Sequence, residues 1–250
     1  MARKEQGRVP KRMLRGRLPC AAFELEGRLY RLDKTLKQDF FAATGRYAGP
    51  GGERVCLKHY HTEPFLGFPL EWAGRLMADR EIRHYRLLAD LESVPRLLGR
   101  VGRTALVHAW VEGTDLLDRT TPLPDDFFDR LETLVRTLHA RDMAYIDMNK
   151  PDNVLVNEAG RPVLIDFQIS WAPRLDRGLL RGLKRRLLAM FQEADRYHVR
   201  KLKRLYRRDL MTPEEYEAGK RRPWFLNLHR LVGAPLRDLR RKFLEWVGAR

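Results

Sequence analysis

Tyr145-Ile146-Asp147-Met148-Asn149-Lys150-Pro151-Asp152-Asn153-Val154-Leu155-Val156, followed by Leu164-Ile165-Asp166-Phe167-Gln168, is the stretch on which the reading of this 250-residue chain turns. Two carboxylates and a carboxamide stand at the ends of short apolar runs. Val154 to Val156 and Val163 to Ile165 read as brief strands joined by Asn157-Glu158-Ala159-Gly160-Arg161, a turn containing glycine. A hairpin of that kind holds Asn153 and Asp166 near one another. Hard oxygen ligands so placed suit Mg²⁺, which keeps several waters and takes one or two protein carboxylates beside phosphate oxygens. Asp147, outside the ladder, is left to face an incoming hydroxyl. Upstream, Leu131, Leu134, Val135 and Leu138 recur at helical spacing and lead into the loop.

These residues resemble the catalytic loop and metal-binding segment of the protein-kinase-like superfamily, whose pattern is H-R-D-x-x-x-x-N followed by D-F-G. The chain departs from the pattern in three places. Tyr145 stands for the histidine, Asn153 follows Asp147 by six residues rather than five, and Gln168 replaces the last glycine. Lys150 is displaced accordingly. The Asp-Phe-Gln variant and the short chain are more similar to the atypical RIO kinases and the bacterial lipopolysaccharide-core sugar kinases than to ordinary Ser/Thr kinases.

Working back from the loop, Glu53 to Tyr60 alternates as a strand, with Cys56 and Lys58 on one face and Val55 and Leu57 on the other. It resembles the V-A-I-K strand, whose lysine reaches the α- and β-phosphates of ATP. The resemblance gives Lys58 an acidic partner on the next helix. Glu81 is the first candidate and Glu71 the second, and Ile82, Tyr85 and Leu88 or Ala89 form that helix's apolar stripe. Leu106 to Leu116 resembles an inter-lobe hinge. By that alignment the backbone of Ala109 and Val111 bonds adenine and Asp115 bonds the ribose. No G-x-G-x-x-G occurs; Lys34, Lys37 and Thr44 hold its place in order and are candidates for phosphate contact.

The charge of +16 is uneven. Residues 1–17 net +6, residues 18–173 net −3, and residues 174–208 net +10. Leu180, Leu183, Leu187, Phe191 and Ala194, then Val199, Leu202, Leu205 and Tyr206, recur at three- and four-residue steps among these bases. They read as two basic amphipathic helices whose leucine stripe packs inward. The apolar fraction of 44% is ordinary for a globular chain. No run of eighteen apolar residues occurs, and the basic start lacks the apolar segment of a secretory signal. Two cysteines are too few for a disulfide framework. A cytoplasmic location is expected, with peripheral association at the inner membrane face.

The resemblance therefore implies an α+β bilobal protein-kinase-like fold. Its basic N-terminal arm is 1–17, its small β-sheet lobe 18–108 and its reduced helical lobe 109–250. The implied activity moves the γ-phosphate of Mg-ATP to an acceptor hydroxyl, with Lys58 and Glu81 on the phosphates, Asn153 and Asp166 on Mg²⁺, and Asp147 at the acceptor. The acceptor is a lipopolysaccharide-core-type sugar or a protein Ser/Thr, and the basic helices favour an anionic substrate or surface: lipopolysaccharide, acidic lipid or RNA. The alternative is a pseudokinase or RIO-like ATPase scaffold that binds RNA or an anionic partner.

Overall fold

A computed structural model describes residues 19–38, 41–62, 71–118, 120–176 and 179–226 of the chain. The basic arm 1–17 lies outside the described residues, as do Arg177 and Gly178 within the second basic segment. The fold is mixed α+β, with two antiparallel sheets and four α-helices among the described residues.

The first sheet has six strands: β1 (Ala22–Leu25), β2 (Arg28–Gln38), β3 (Ala42–Ala48), β4 (Arg54–Tyr60), β5 (Leu97–Val101) and β6 (Ala105–Ala109). Their order is β1-β2-β3-β4-β6-β5. Period-two alternation sorts the side chains to its two faces. Val55, Leu57, Ala105 and Val107 share one face and are buried with Phe23, Tyr30 and Tyr47 in one apolar cluster. Cys56 and Lys58 point the other way, towards the rest of the molecule. Between β4 and β5 runs α1 (Glu71–Leu87), which buries Ala78, Ile82 and Tyr85 along one stripe.

The second sheet is small: β7 (Gly113–Asp115), β8 (Val154–Asn157) and β9 (Pro162–Leu164). The expected hairpin is present, with Val154 opposite Leu164. Gly113 is required where it stands. Its φ is +142°, and a Cβ there would lie 2.1 Å from the Val156 carbonyl oxygen. Between β7 and β8 lies α2 (Phe127–Ala140), whose Leu131, Leu134, Val135 and Leu138 are buried as their spacing requires. The main core joins α1, α2 and the second sheet to Val199 and Leu202 further on.

The basic segment differs from its sequence reading. It forms one helix, α3 (Arg181–Tyr206, 26 residues), not two. No glycine or proline interrupts residues 183–206, so the hydrogen-bond ladder runs through. The inward leucine stripe is corrected as well: Leu180 is 61% and Leu183 53% exposed, and packing begins at Leu188. The first two turns of α3 thus extend past the body, and Arg181, Arg185 and Arg186 are exposed with the leucines. A short α4 (Pro213–Lys220) follows, opened by a capping box between Thr212 and Glu215. Among the described residues no helix is long and apolar enough to cross a membrane.

Three buried histidines shape the acid stability. Burial lowers the pKa of His84, His108 and His198 to about 4. An unfolded histidine titrates near 6.5, so below that pH the unfolded chain binds protons that the folded chain refuses. Stability is full above about pH 6.5 and is lost as pH falls towards about 4, by up to about 1.4 kcal/mol per pH unit for each histidine. Urea titrations at stepped pH are expected to show the midpoint falling through this window; a flat midpoint contradicts the assignment.

Candidate active site

One cavity of about 520 Å³ collects most of the sequence-predicted residues. Lys34, Lys37, Thr44, Cys56 and Lys58 line it from the first sheet, and Glu81 and Tyr85 line it from α1. Val111 and Asp115 line it from the connection between the sheets, and Asn153 and Asp166 from the hairpin. Arg46, His108 and Trp110 also line it and were missed by the sequence reading.

At its centre is Lys58. Its ammonium lies 3.0 Å from Glu81 and 2.7 Å from Asp166, a residue 108 positions later in the chain. Burial alone disfavours the charge, but Glu81 and Asp166 outweigh it and hold the Lys58 pKa above its ordinary value. Asp166 is partly buried, yet Lys58, with Lys37 and Lys150 behind it, keeps its carboxyl below the usual range. Glu81 is pushed up by its own burial. Glu81 also accepts hydrogen bonds from the Tyr60 hydroxyl and, at 3.2 Å, from the Phe167 N–H. The choice between the two glutamates is thereby made: Glu71 is exposed and faces Arg103 at 3.7 Å.

The loop from Tyr145 to Asn153 contains two consecutive 3-10 turns, Asp147–Asn149 and Pro151–Asn153. Asp147 does not stand open to a substrate as expected. It is 8% exposed, lies outside the cavity lining, and accepts from Lys150 Nζ at 2.6 Å and Asn153 Nδ2 at 2.9 Å. Burial raises its pKa against the pull of Lys150. Asn153 spends its amide N–H on Asp147 and keeps Oδ1, while Asp166 spends Oδ1 on Lys58 and keeps Oδ2. Two hard oxygens at the hairpin base fit a Mg²⁺ that brings waters and phosphate with it. No group of three or more His, Cys, Asp or Glu side chains suited to a metal occurs among the described residues.

The hinge residues divide. Val111 reaches the cavity, but both polar groups of the Ala109 backbone are engaged inside the protein. Its N–H donates to the Arg96 carbonyl at 2.8 Å, and its carbonyl lies 2.8 Å from His108 Nδ1. The expectation that Ala109 bonds a base is corrected accordingly: Arg96, the residue just before the edge strand β5, has taken its N–H. Asp115 lines the cavity, though its Oδ1 also accepts from the N–H groups of Leu117 and Asp118.

One residue that the sequence reading passed over holds the loop in place. Asp195 of α3 is 1% exposed, and its carboxylate accepts from Tyr145 N–H and Ile146 N–H, each at 2.8 Å. It also lies 3.1 Å from His139 Nε2, at the end of α2. Only its position on an apolar stripe, one turn past Phe191, hints at Asp195 in the sequence. Ile146 and Asp166 have φ of +70° and +60°, left-handed values that cost a non-glycine residue about 1–3 kcal/mol and persist where the surroundings force them.

No protein-family model matches this chain, and no curated protein matches it.

Removing the Asp195 carboxylate leaves two buried backbone N–H groups without an acceptor. Asp195→Ala is expected to cost about 3 kcal/mol or more, read from urea denaturation. Asp195→Asn, with one acceptor oxygen, is expected to fall between. A wild-type midpoint in Asp195→Ala would remove the tethering role.

Proposed function

We propose that this chain is an ATP-dependent phosphotransferase with a bilobal protein-kinase-like fold of the RIO and lipopolysaccharide-core-kinase type. The first sheet with α1 is the small lobe, and β7–β9 with α2–α4 are the helical lobe. The observation that carries the reading is the Lys58 ammonium held between Glu81 and Asp166 across the cavity, with Asn153 lining the same space. An ammonium kept charged beside an ionised carboxylate and an amide oxygen is the donor set that a triphosphate with a divalent cation needs.

On this reading the adenine enters beside Val111, the ribose lies near Asp115, and Lys58 transfers part of its bonding from Asp166 to the α- and β-phosphates. Asp166 and Asn153 hold Mg²⁺, which when bound neutralises charge on the phosphate oxygens. Asp147, once Lys150 and Asn153 give up part of their bonding to it, orients an acceptor hydroxyl and takes its proton. Its raised pKa, set by burial, suits a base that must also release the proton. Lys150, 2.6 Å from Asp147, supplies positive charge beside the transferring group. Lys34, Lys37 and Thr44 on the cavity wall are placed to contact phosphates where a glycine loop is lacking.

The acceptor is read as a hydroxyl on an anionic molecule, a lipopolysaccharide-core-type sugar or a protein Ser/Thr. Support comes from the exposed bases of α3 and the exposed Leu180 and Leu183 beside them. A protein so built works in the cytoplasm and rests peripherally on an acidic membrane face. The engagement of Asp147 by both Lys150 and Asn153 favours a second reading, a pseudokinase or RIO-like ATPase scaffold that binds RNA or another anionic partner.

Purified protein is expected to turn over ATP only with Mg²⁺, and Asp147→Ala or Asp166→Ala is expected to lower the rate by about 10²-fold or more. A wild-type rate in both variants would assign the turnover to a contaminant. Label from γ-labelled ATP entering glycolipid or protein in a cell extract supports transfer; nucleotide binding without transfer supports the scaffold. Sedimentation with anionic vesicles is expected to disappear as salt is raised, and failure to sediment at low salt removes the membrane surface as partner.

A further inference from the structure

Ala109 offers its N–H elsewhere, yet the inner end of the cavity is not without a polar reader. His108 sits on β6 opposite Cys56 of β4 and shares its cavity face. It is 9% exposed, and its ring stacks on Tyr85 with centroids 5.4 Å apart. Its Nδ1 lies 2.8 Å from the Ala109 carbonyl oxygen. A carbonyl only accepts, so Nδ1 carries the hydrogen, and a neutral ring then keeps its lone pair on Nε2. No described side chain or backbone group bonds that nitrogen, and it is absent from the fully buried unpaired atoms, so it opens on the cavity. The bond to Ala109 and the stack on Tyr85 fix the ring in plane and in rotation.

We propose that His108 is the base-reading residue of this cavity, its Nε2 accepting a hydrogen bond from an exocyclic amine of the bound nucleobase. The inference rests on the nucleotide reading given above and adds to it which group selects the base. Adenine carries an amine donor at its six-position; hypoxanthine and guanine carry a carbonyl oxygen there. Two acceptors facing each other in a buried site cannot bond, and a site built to receive a donor rejects the analogue that lacks it. Burial and the nearby Lys58 keep the ring neutral, its pKa lowered to about 4, so the lone pair is present at physiological pH. Ala109 serves as the ring's anchor, and the contact first assigned to its backbone passes to the neighbouring side chain.

The test compares ATP with inosine triphosphate, which differs from it only around the six-position, by calorimetric titration of the full chain. Wild-type protein is expected to prefer ATP by about 10-fold or more. His108→Asn keeps a side-chain N–H near the Ala109 carbonyl and removes the Nε2 acceptor, so its preference is expected to collapse towards one while phosphate-dependent binding persists. His108→Phe keeps the stack on Tyr85 and serves the same purpose where the asparagine variant folds poorly. An unchanged ATP preference in these variants overturns the role of His108 and leaves the nucleotide reading standing, as does a wild type that binds both triphosphates equally. A wild type that binds neither overturns both.

Discussion

Burying a lysine is costly, and this fold buries one on the cavity wall, between β4, α1 and the segment that follows β9. Lys58 is tolerated because Glu81 and Asp166 supply two carboxylates within 3.0 Å and because Tyr60 and the Phe167 N–H occupy the remaining lone pairs of Glu81. An isolated buried charge costs several kcal/mol, and breaking such a pair from one side costs about 3–5 kcal/mol. The rest of the architecture is arranged to keep the three groups together. Arg80 and His84, on either side of Glu81 in α1, bond the carbonyls of Ser170 and Phe167, so the helix and the segment after Asp166 are stitched at several points. Tyr85 and Tyr145 pack edge-on against Phe167, closing the space behind the pair with aromatic surface rather than water.

A second constraint acts on the loop beneath. Ile146 is β-branched and left-handed, an arrangement that its own sterics oppose. The carboxylate of Asp195 accepts from the consecutive N–H groups of Tyr145 and Ile146, and the Ser170 hydroxyl donates to the Tyr145 carbonyl. Those bonds over-determine the conformation and place Asp147 against Lys150 and Asn153. The positions of the polar groups are therefore set before any ligand arrives, which is the condition under which fixed charges act most strongly on a reaction.

Much of this was legible in the sequence because it is local. The spacing of Asp147, Asn153 and Asp166 around two short apolar runs encodes the hairpin, and the alternation around Lys58 encodes its strand. The helix partner was not decidable from spacing, because Glu71 and Glu81 both fall on one helix; burial separates them, with one facing Arg103 in solvent and the other sealed beside Tyr60. Asp195, His108 and Tyr60 were missed because their roles come from packing between segments far apart in the chain. Ala109 was misjudged for the same reason: whether a strand-end N–H is free depends on an edge neighbour, here Arg96, that local sequence does not reveal. The run of leucines before Leu188 looked like core because periodicity records amphipathicity, not whether a surface exists to receive it.

The 26-residue α3 joins two features that are otherwise remote. Its first turns project beyond the body with bare leucines and arginines, and Asp195, fourteen positions along from Arg181, grips the loop. At about 1.5 Å per residue that is a rigid arm of about 20 Å. A helix does not compress along its axis, so a load applied at the projecting end reaches the carboxylate as displacement or torque. The molecule thus has a mechanical linkage between an exposed basic helix end and a left-handed turn of the loop, with Asp195, Gln192 and Lys201 as the side chains that couple them.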